Sequence, residues 1–135
     1  YLYIRTKDSK GLWSIAEQRK FNLQADSAII VRAFIEGYYS GNRQMNAVLD
    51  PANQPNICDP VTIGLASAAN PSASIFEQTT FLMTDGTATI NVPPSTSGNS
   101  FYIYIKGRNL VETWSKNPVL ISSNTFYNFS SATGF

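Results

Sequence analysis

Arg108, Asn109, Glu112 and Trp114 fall close together near the C-terminal end of the chain, and they are the residue types from which a sugar site is built. Sugar rings stack on flat aromatic faces, while guanidinium, carboxamide and carboxylate groups bond the hydroxyls. Tyr38 and Tyr39 add an adjacent aromatic pair, and Tyr102, Tyr104 and Trp13 contribute to an aromatic fraction of 13%. The same types also do structural work, and do so more often. Tyr on the outer face of a strand forms cross-strand pairs, and a Trp near the end of a sandwich plugs a core. Arg108 with Glu112 then reads as an ion pair pinning a loop. Asp50 and Asp59 flank one Pro- and Asn-rich loop, where, with backbone carbonyls and Asn53 or Asn56, they could hold Ca²⁺ through oxygen ligands. There is no Asp-x-Asp-x-Asp run, and no other cofactor is expected. Asn128-Phe129-Ser130 matches a glycosylation sequon.

What is missing narrows the chemistry further. The sequence has no histidine, which excludes Ser-His-Asp and Cys-His machinery and His-containing metal sites. Its one cysteine, Cys58, cannot close an internal disulfide and is expected to be packed. The acidic residues are scattered singly, so no carboxylate pair of the kind glycosidases use is evident. Ten Lys and Arg against nine Asp and Glu leave a net charge of +1 with no basic block, which argues against nucleic acid as a partner. The longest apolar stretch, Ala28 to Ile35, is broken by Arg32 and is far short of the ~20 residues that span a bilayer. No membrane insertion is expected. No signal sequence stands at Tyr1, so the expectation is that one was removed or that the chain is part of a longer protein.

The elements that must position these residues are strands. At 135 residues the chain suits one domain, and apolar residues recur with period two rather than 3.6. Leu2 and Ile4 alternate with Tyr1, Tyr3 and Arg5; Ile29, Val31, Ala33 and Ile35 alternate with Ile30, Arg32, Phe34 and Glu36. Val61, Ile63 and Leu65, then Ala88, Ile90 and Val92, then Phe101, Ile103 and Ile105 do the same, each set presenting one face to a core. Further short strands are expected at Ile75 to Leu82, Pro118 to Ile121 and Phe126 to Phe129, about eight or nine in all. Asp85-Gly86 between two alternating runs predicts a hairpin. Prolines 51, 55 and 60, and Pro93-Pro94, predict two long loops. The whole reads as an all-β, antiparallel immunoglobulin-like or prealbumin-like β-sandwich over residues 28–135. Residues 15–27 read as a linker, with a short helical turn near Ser14 to Lys20.

Several strings resemble a sandwich module of secreted and cell-surface, type IX-exported multidomain proteins of the Bacteroidota. They are Phe34-Ile35-Glu36-Gly37-Tyr38-Tyr39, Asp59-Pro60-Val61-Thr62-Ile63, and above all Arg108-Asn109-x-x-Glu112-Thr113-Trp114-Ser115-x-Asn117-Pro118. The similarity spans roughly residues 28–130, with Gly107 standing where the family implies His. Residues 1–14 look like the last strands of a preceding module. The resemblance implies a secreted or surface location and a multidomain architecture, and it supplies no ligand.

The expectation for function is therefore a non-catalytic structural or adhesive module working through its own surfaces. Its partners would be neighbouring domains or identical subunits, joined through strand edges. The strand Tyr1, Leu2, Tyr3, Ile4, Arg5, Thr6 would need a partner and could assemble with another sheet edge. The alternative is a carbohydrate-binding module, or the accessory domain of a secreted glycan-active enzyme.

Overall fold

The computed structural model describes residues 2–14, 17–19 and 26–131. The chain is all-β, and the period-two runs become strands that alternate between a shared core and the outer faces of two sheets. The first strands are β1 (Leu2–Ile4), β2 (Glu17–Arg19), β3 (Ser27–Arg32), β4 (Tyr39–Gly41), β5 (Gln44–Met45) and β6 (Ile57–Ser67). They are followed by β7 (Ser74–Met83), β8 (Thr87–Val92), β9 (Ser100–Gly107), β10 (Leu110–Trp114), β11 (Val119–Leu120) and β12 (Asn124–Asn128). One sheet runs β10-β9-β6-β7, with β11 also on β9; the other runs β12-β3-β8.

Ile29 and Val31 of β3, Val61, Ile63 and Leu65 of β6, Ala88, Ile90 and Val92 of β8, and Ile103 and Ile105 of β9 meet in one core cluster, each almost wholly buried. Phe101, expected in that core, is only partly buried and packs against its rim. Cys58 is buried, and desolvation, reinforced by the neighbouring Asp59 charge, pushes its thiol up to about 11, far from the thiolate a nucleophile needs.

Four details depart from expectation, each for a reason outside the local sequence. The Asp85-Gly86 turn forms, closed by Gly86 N–H donating to the Met83 carbonyl at 2.9 Å with Gly86 at φ +84°, but it is a corner rather than a hairpin. β7 pairs with β6 and β8 pairs with β3, so the turn carries the chain from one sheet to the other. Secondly, β12 lies parallel to β3, with Thr125 opposite Ile29 and Tyr127 opposite Val31. The intervening sandwich serves as the long crossover that a parallel pair requires.

Pro60 is the third departure, for it sits inside β6 rather than ending a loop. Pairing with β9 begins only at Thr62, and the Pro60 carbonyl lies beside Gly107. Its missing donor thus falls where the ladder has stopped. Fourthly, no helical turn forms within 14–20 among the described residues. Glu17–Arg19 is a strand, pairing antiparallel with β1 so that Leu2 faces Arg19 and Ile4 faces Glu17. A three-residue polar segment carries no legible period, and its strand character comes from its partner. The stretch expected as a linker, 15–27, therefore supplies β2 and the first residue of β3; residues 15, 16 and 20–25 lie outside the described residues.

Tyr1 of the expected assembly strand also lies outside the described residues. From Leu2 onward that strand is one arm of a ribbon in its own chain. The ribbon continues through Thr6, whose N–H donates to Ser14 Oγ at 2.9 Å, and through a bridge between Lys7 and Trp13. Arg5 Nε donates to the Ser14 carbonyl at 3.2 Å.

Candidate functional site

The outer face of the larger sheet follows from the same alternation that fills the core. With Ile103 and Ile105 inward, Tyr102, Tyr104 and Lys106 of β9 point outward. Register places Gly64 of β6 directly opposite Tyr104, and Glu77 of β7 opposite Gly64. Because Gly64 has no Cβ, the Tyr104 ring lies flat across β6; a Cβ there would come within 2.1 Å of Tyr104 Cζ. The ring reaches over to β7, where the phenol donates to Glu77 Oε1 at 2.5 Å and lies 2.9 Å from Ser74 Oγ. Trp114, opposite Tyr104 on β10, stacks on it with centroids 4.6 Å apart and planes at 24°. Tyr102 meets the same indole edge-on at 6.5 Å. Tyr104 is consequently only 4% exposed although it points away from the core. Glu112 accepts the Trp114 indole N–H at 2.7 Å.

Lys106 Nζ bonds Glu77 Oε1 at 2.5 Å and stands 5.6 Å from the Tyr104 centroid. Lys106, and after it the Tyr104 hydroxyl, hold the Glu77 carboxyl below the usual glutamate range. Burial first, and then Glu77, raises the Tyr104 phenol. A carboxyl whose folded pKa is depressed contributes stability that is present above its unfolded pKa of about 4.3 and is lost as pH falls through the lower folded value. Glu77→Gln should therefore flatten the acid side of the melting-temperature profile below about pH 4.3, the ordinary glutamate value. Thermal scans across pH check this, and superimposable acid limbs for the two proteins would contradict it.

Asp59 is the second focus. It is 1% exposed, and it receives Arg108 in a fork, with Nη2 donating to Oδ1 at 2.6 Å and Nε lying 3.2 Å from each carboxylate oxygen. Asn109 Nδ2 donates to the Tyr38 hydroxyl and, at 3.4 Å, to Asp59 Oδ2. Arg108 thus pairs with Asp59 rather than with Glu112, which is occupied by Trp114. The reason is geometric, for Arg108 and Asn109 sit in the β9–β10 turn within reach of Asp59 on β6, whereas Glu112 lies in the β10 bulge and bonds the Trp114 indole.

The six residues weighed as a sugar site are therefore divided. Arg108, Asn109 and Tyr38 gather round Asp59, and Glu112 and Trp114 join the Tyr104 stack. Tyr39 stands apart, on the β4–β5 hairpin. Asp50 is held by its own turn, accepting Asn53 Nδ2 at 3.1 and 2.9 Å, and the Asp59 oxygens face a guanidinium. Among the described residues no group of three or more His, Cys, Asp or Glu is arranged to hold a metal ion.

No protein-family model, curated protein or solved structure matches the chain. Among the described residues no helix is long and apolar enough to cross a membrane.

Two contributors escaped the sequence reading. Gly64 carried a signal, since glycine inside an alternating strand marks a close approach by another group. Glu77 carried none, because its partners come from a strand that register alone brings near.

Proposed function

We propose that this chain is a non-catalytic structural or adhesive module of an extracellular or cell-surface protein, acting through the β10 side of its sandwich. The observation that carries this reading is the edge itself. Among the described residues β10 has one side unpaired, and a bulge between Leu110 and Thr113 puts Val111 in solvent at 84% exposure, the highest of the large apolar side chains described. Beside it opens a cleft of about 490 Å³, lined in part by Ile35, Ile105, Leu110 and Phe129. An apolar protrusion next to an apolar-floored cleft is the form of a protein contact rather than of a solvated edge. Since both lie on the same edge, two copies can each place Val111 against the other's cleft in a closed, two-fold pair. The aromatic and charged groups of the outer face point the same way, because their hydrogen bonds and ring faces are directed at one another. The extracellular setting rests on the resemblance carried by the Arg108-to-Pro118 string.

Light scattering over a concentration series tests the contact. The wild-type chain should pass from a one-chain to a two-chain mass, and Val111→Asp should remain at one chain, with the melting temperature of the wild type at concentrations where that too is one chain, since a side chain this exposed contributes within about 0.5 kcal/mol to folding. Equal masses for the two proteins at every concentration would remove the proposal.

A further inference from the structure

A second cavity, of about 620 Å³, lies at the end of the smaller sheet, on the face turned away from the core, and is lined by Arg32, Phe34, Glu36, Tyr39, Arg43 and Asn128 with two serines. Its volume is that of an ordinary small-ligand site. Three features distinguish it from a chance depression. The Arg32 guanidinium lies 5.8 Å from the Phe126 ring, with Nε buried and without a hydrogen-bond partner among the described residues. With Nε inaccessible, a ligand would meet the terminal Nη groups of the same guanidinium, whose charge no acid pairs among the described residues. Arg43 is held in the left-handed region, at φ +59°, in the two-residue turn of the β4–β5 hairpin, and its N–H donates to the Tyr39 hydroxyl at 3.2 Å. Neither arginine forms an ion pair among the described residues. Asn128 Oδ1 accepts the Ser130 N–H and hydroxyl at 2.9 and 2.6 Å, leaving its Nδ2 donors without a described partner.

We propose that this cavity binds the carboxylate of an acidic sugar residue, a uronic or sialic acid, at the surface of a glycan. Two guanidinium groups and a carboxamide supply donors for a carboxylate. Tyr39, 48% exposed and edge-on to Phe34 at 5.4 Å, offers a ring face to the apolar side of a pyranose. Glu36 would repel a bare anion, but it accepts from sugar hydroxyls, which an acidic peptide side chain lacks. Asp85, whose field reaches Arg32, has its Oδ1 occupied by the Thr87 N–H and hydroxyl. The cavity adjoins the β10 cleft, sharing Phe34, Glu36 and Ser130 with it, but its arginines, Arg32 and Arg43, line this cavity and not the cleft.

Calorimetric titration of the full chain with trigalacturonate, triglucuronate and 3′-sialyllactose tests the proposal, alongside trigalacturonate methyl ester and triglutamate. At least one acidic sugar should bind, with Arg32 Nε–H shifting in NMR spectra. The methyl ester and triglutamate should bind about tenfold more weakly or not at all, a difference of one charge-assisted fork. Arg43→Gln, on an exposed turn, and Arg32→Lys, which keeps the charge without the planar fork, should each lower affinity about tenfold. The proposal is overturned if none of the three acidic sugars binds, if ester or triglutamate binds as tightly, or if a correctly folded Arg43→Gln protein binds as the wild type does.

Discussion

Ile103→Ala should destabilise the protein by about 2–5 kcal/mol, because a side chain lost from a site with no solvent access forfeits its transfer free energy and leaves a cavity as well. Ile103 is 0% exposed and lies on β9 opposite Leu65 of β6, in the central strand pair of the larger sheet. Its backbone is held from both directions. The Ile103 N–H donates to Ser115 Oγ at 3.0 Å, and its carbonyl accepts the Ser115 N–H at 2.7 Å. The surroundings therefore have little freedom to collapse into the space. Urea unfolding with an unchanged m-value is the appropriate measurement, and Val111→Ala on the adjoining strand should move the midpoint hardly at all. A loss below about 1 kcal/mol would mean that β9 is displaced by one residue, which would put Tyr102 and Tyr104 in the core.

Gly64→Ala is the second large effect, and it arises on the opposite face of the same strand pair. The added Cβ would meet Tyr104 Cζ at 2.1 Å, Oη at 2.4 Å and Cε2 at 2.6 Å, so the ring must leave its place. Overpacking of this kind costs about 1–3 kcal/mol, and each hydrogen bond the phenol gives up adds about 1 kcal/mol. A total near 2–4 kcal/mol is expected, together with loss of the Trp114 stack. The mechanism is separable from the ordinary effect of a strand glycine by a double-mutant cycle. In a Tyr104→Ala background the same substitution should be close to neutral, since the side chain it strikes is gone, so the coupling should approach the whole cost of about 2–4 kcal/mol. Equal costs in both backgrounds would show that Tyr104 does not lie over Gly64.

Much of the sandwich was legible from residue order because a two-sheet core imposes a period of two on every strand that lines it. Val61, Ile63 and Leu65, Ala88, Ile90 and Val92, and Ile103 and Ile105 sit where alternation places them. The outer face was legible only by elimination. Tyr102, Tyr104 and Lys106 follow from their inward neighbours, but nothing local tells Tyr104 to lie flat over Gly64 and to reach Glu77 on the far strand. Arg108 illustrates the limit. Glu112 is the nearest acid after it in sequence, yet Asp59, 49 residues away, receives the guanidinium, because strand register rather than sequence distance decides which side chains meet.

By itself, then, the amino-acid order determined the class of fold and ruled out histidine-dependent chemistry. The absence of histidine and the solitary cysteine are properties of composition, which folding cannot change. Period-two alternation is a short-range property written into each strand. Tertiary structure alone decided that the Asp85-Gly86 turn bridges two sheets, that β12 runs parallel to β3, that β1 finds β2 within its own chain, and that Arg32 and Arg43 line one cavity. Each of these depends on which strands become neighbours. That choice is made by burying all the inward faces at once in a single core, and no window of neighbouring residues contains it.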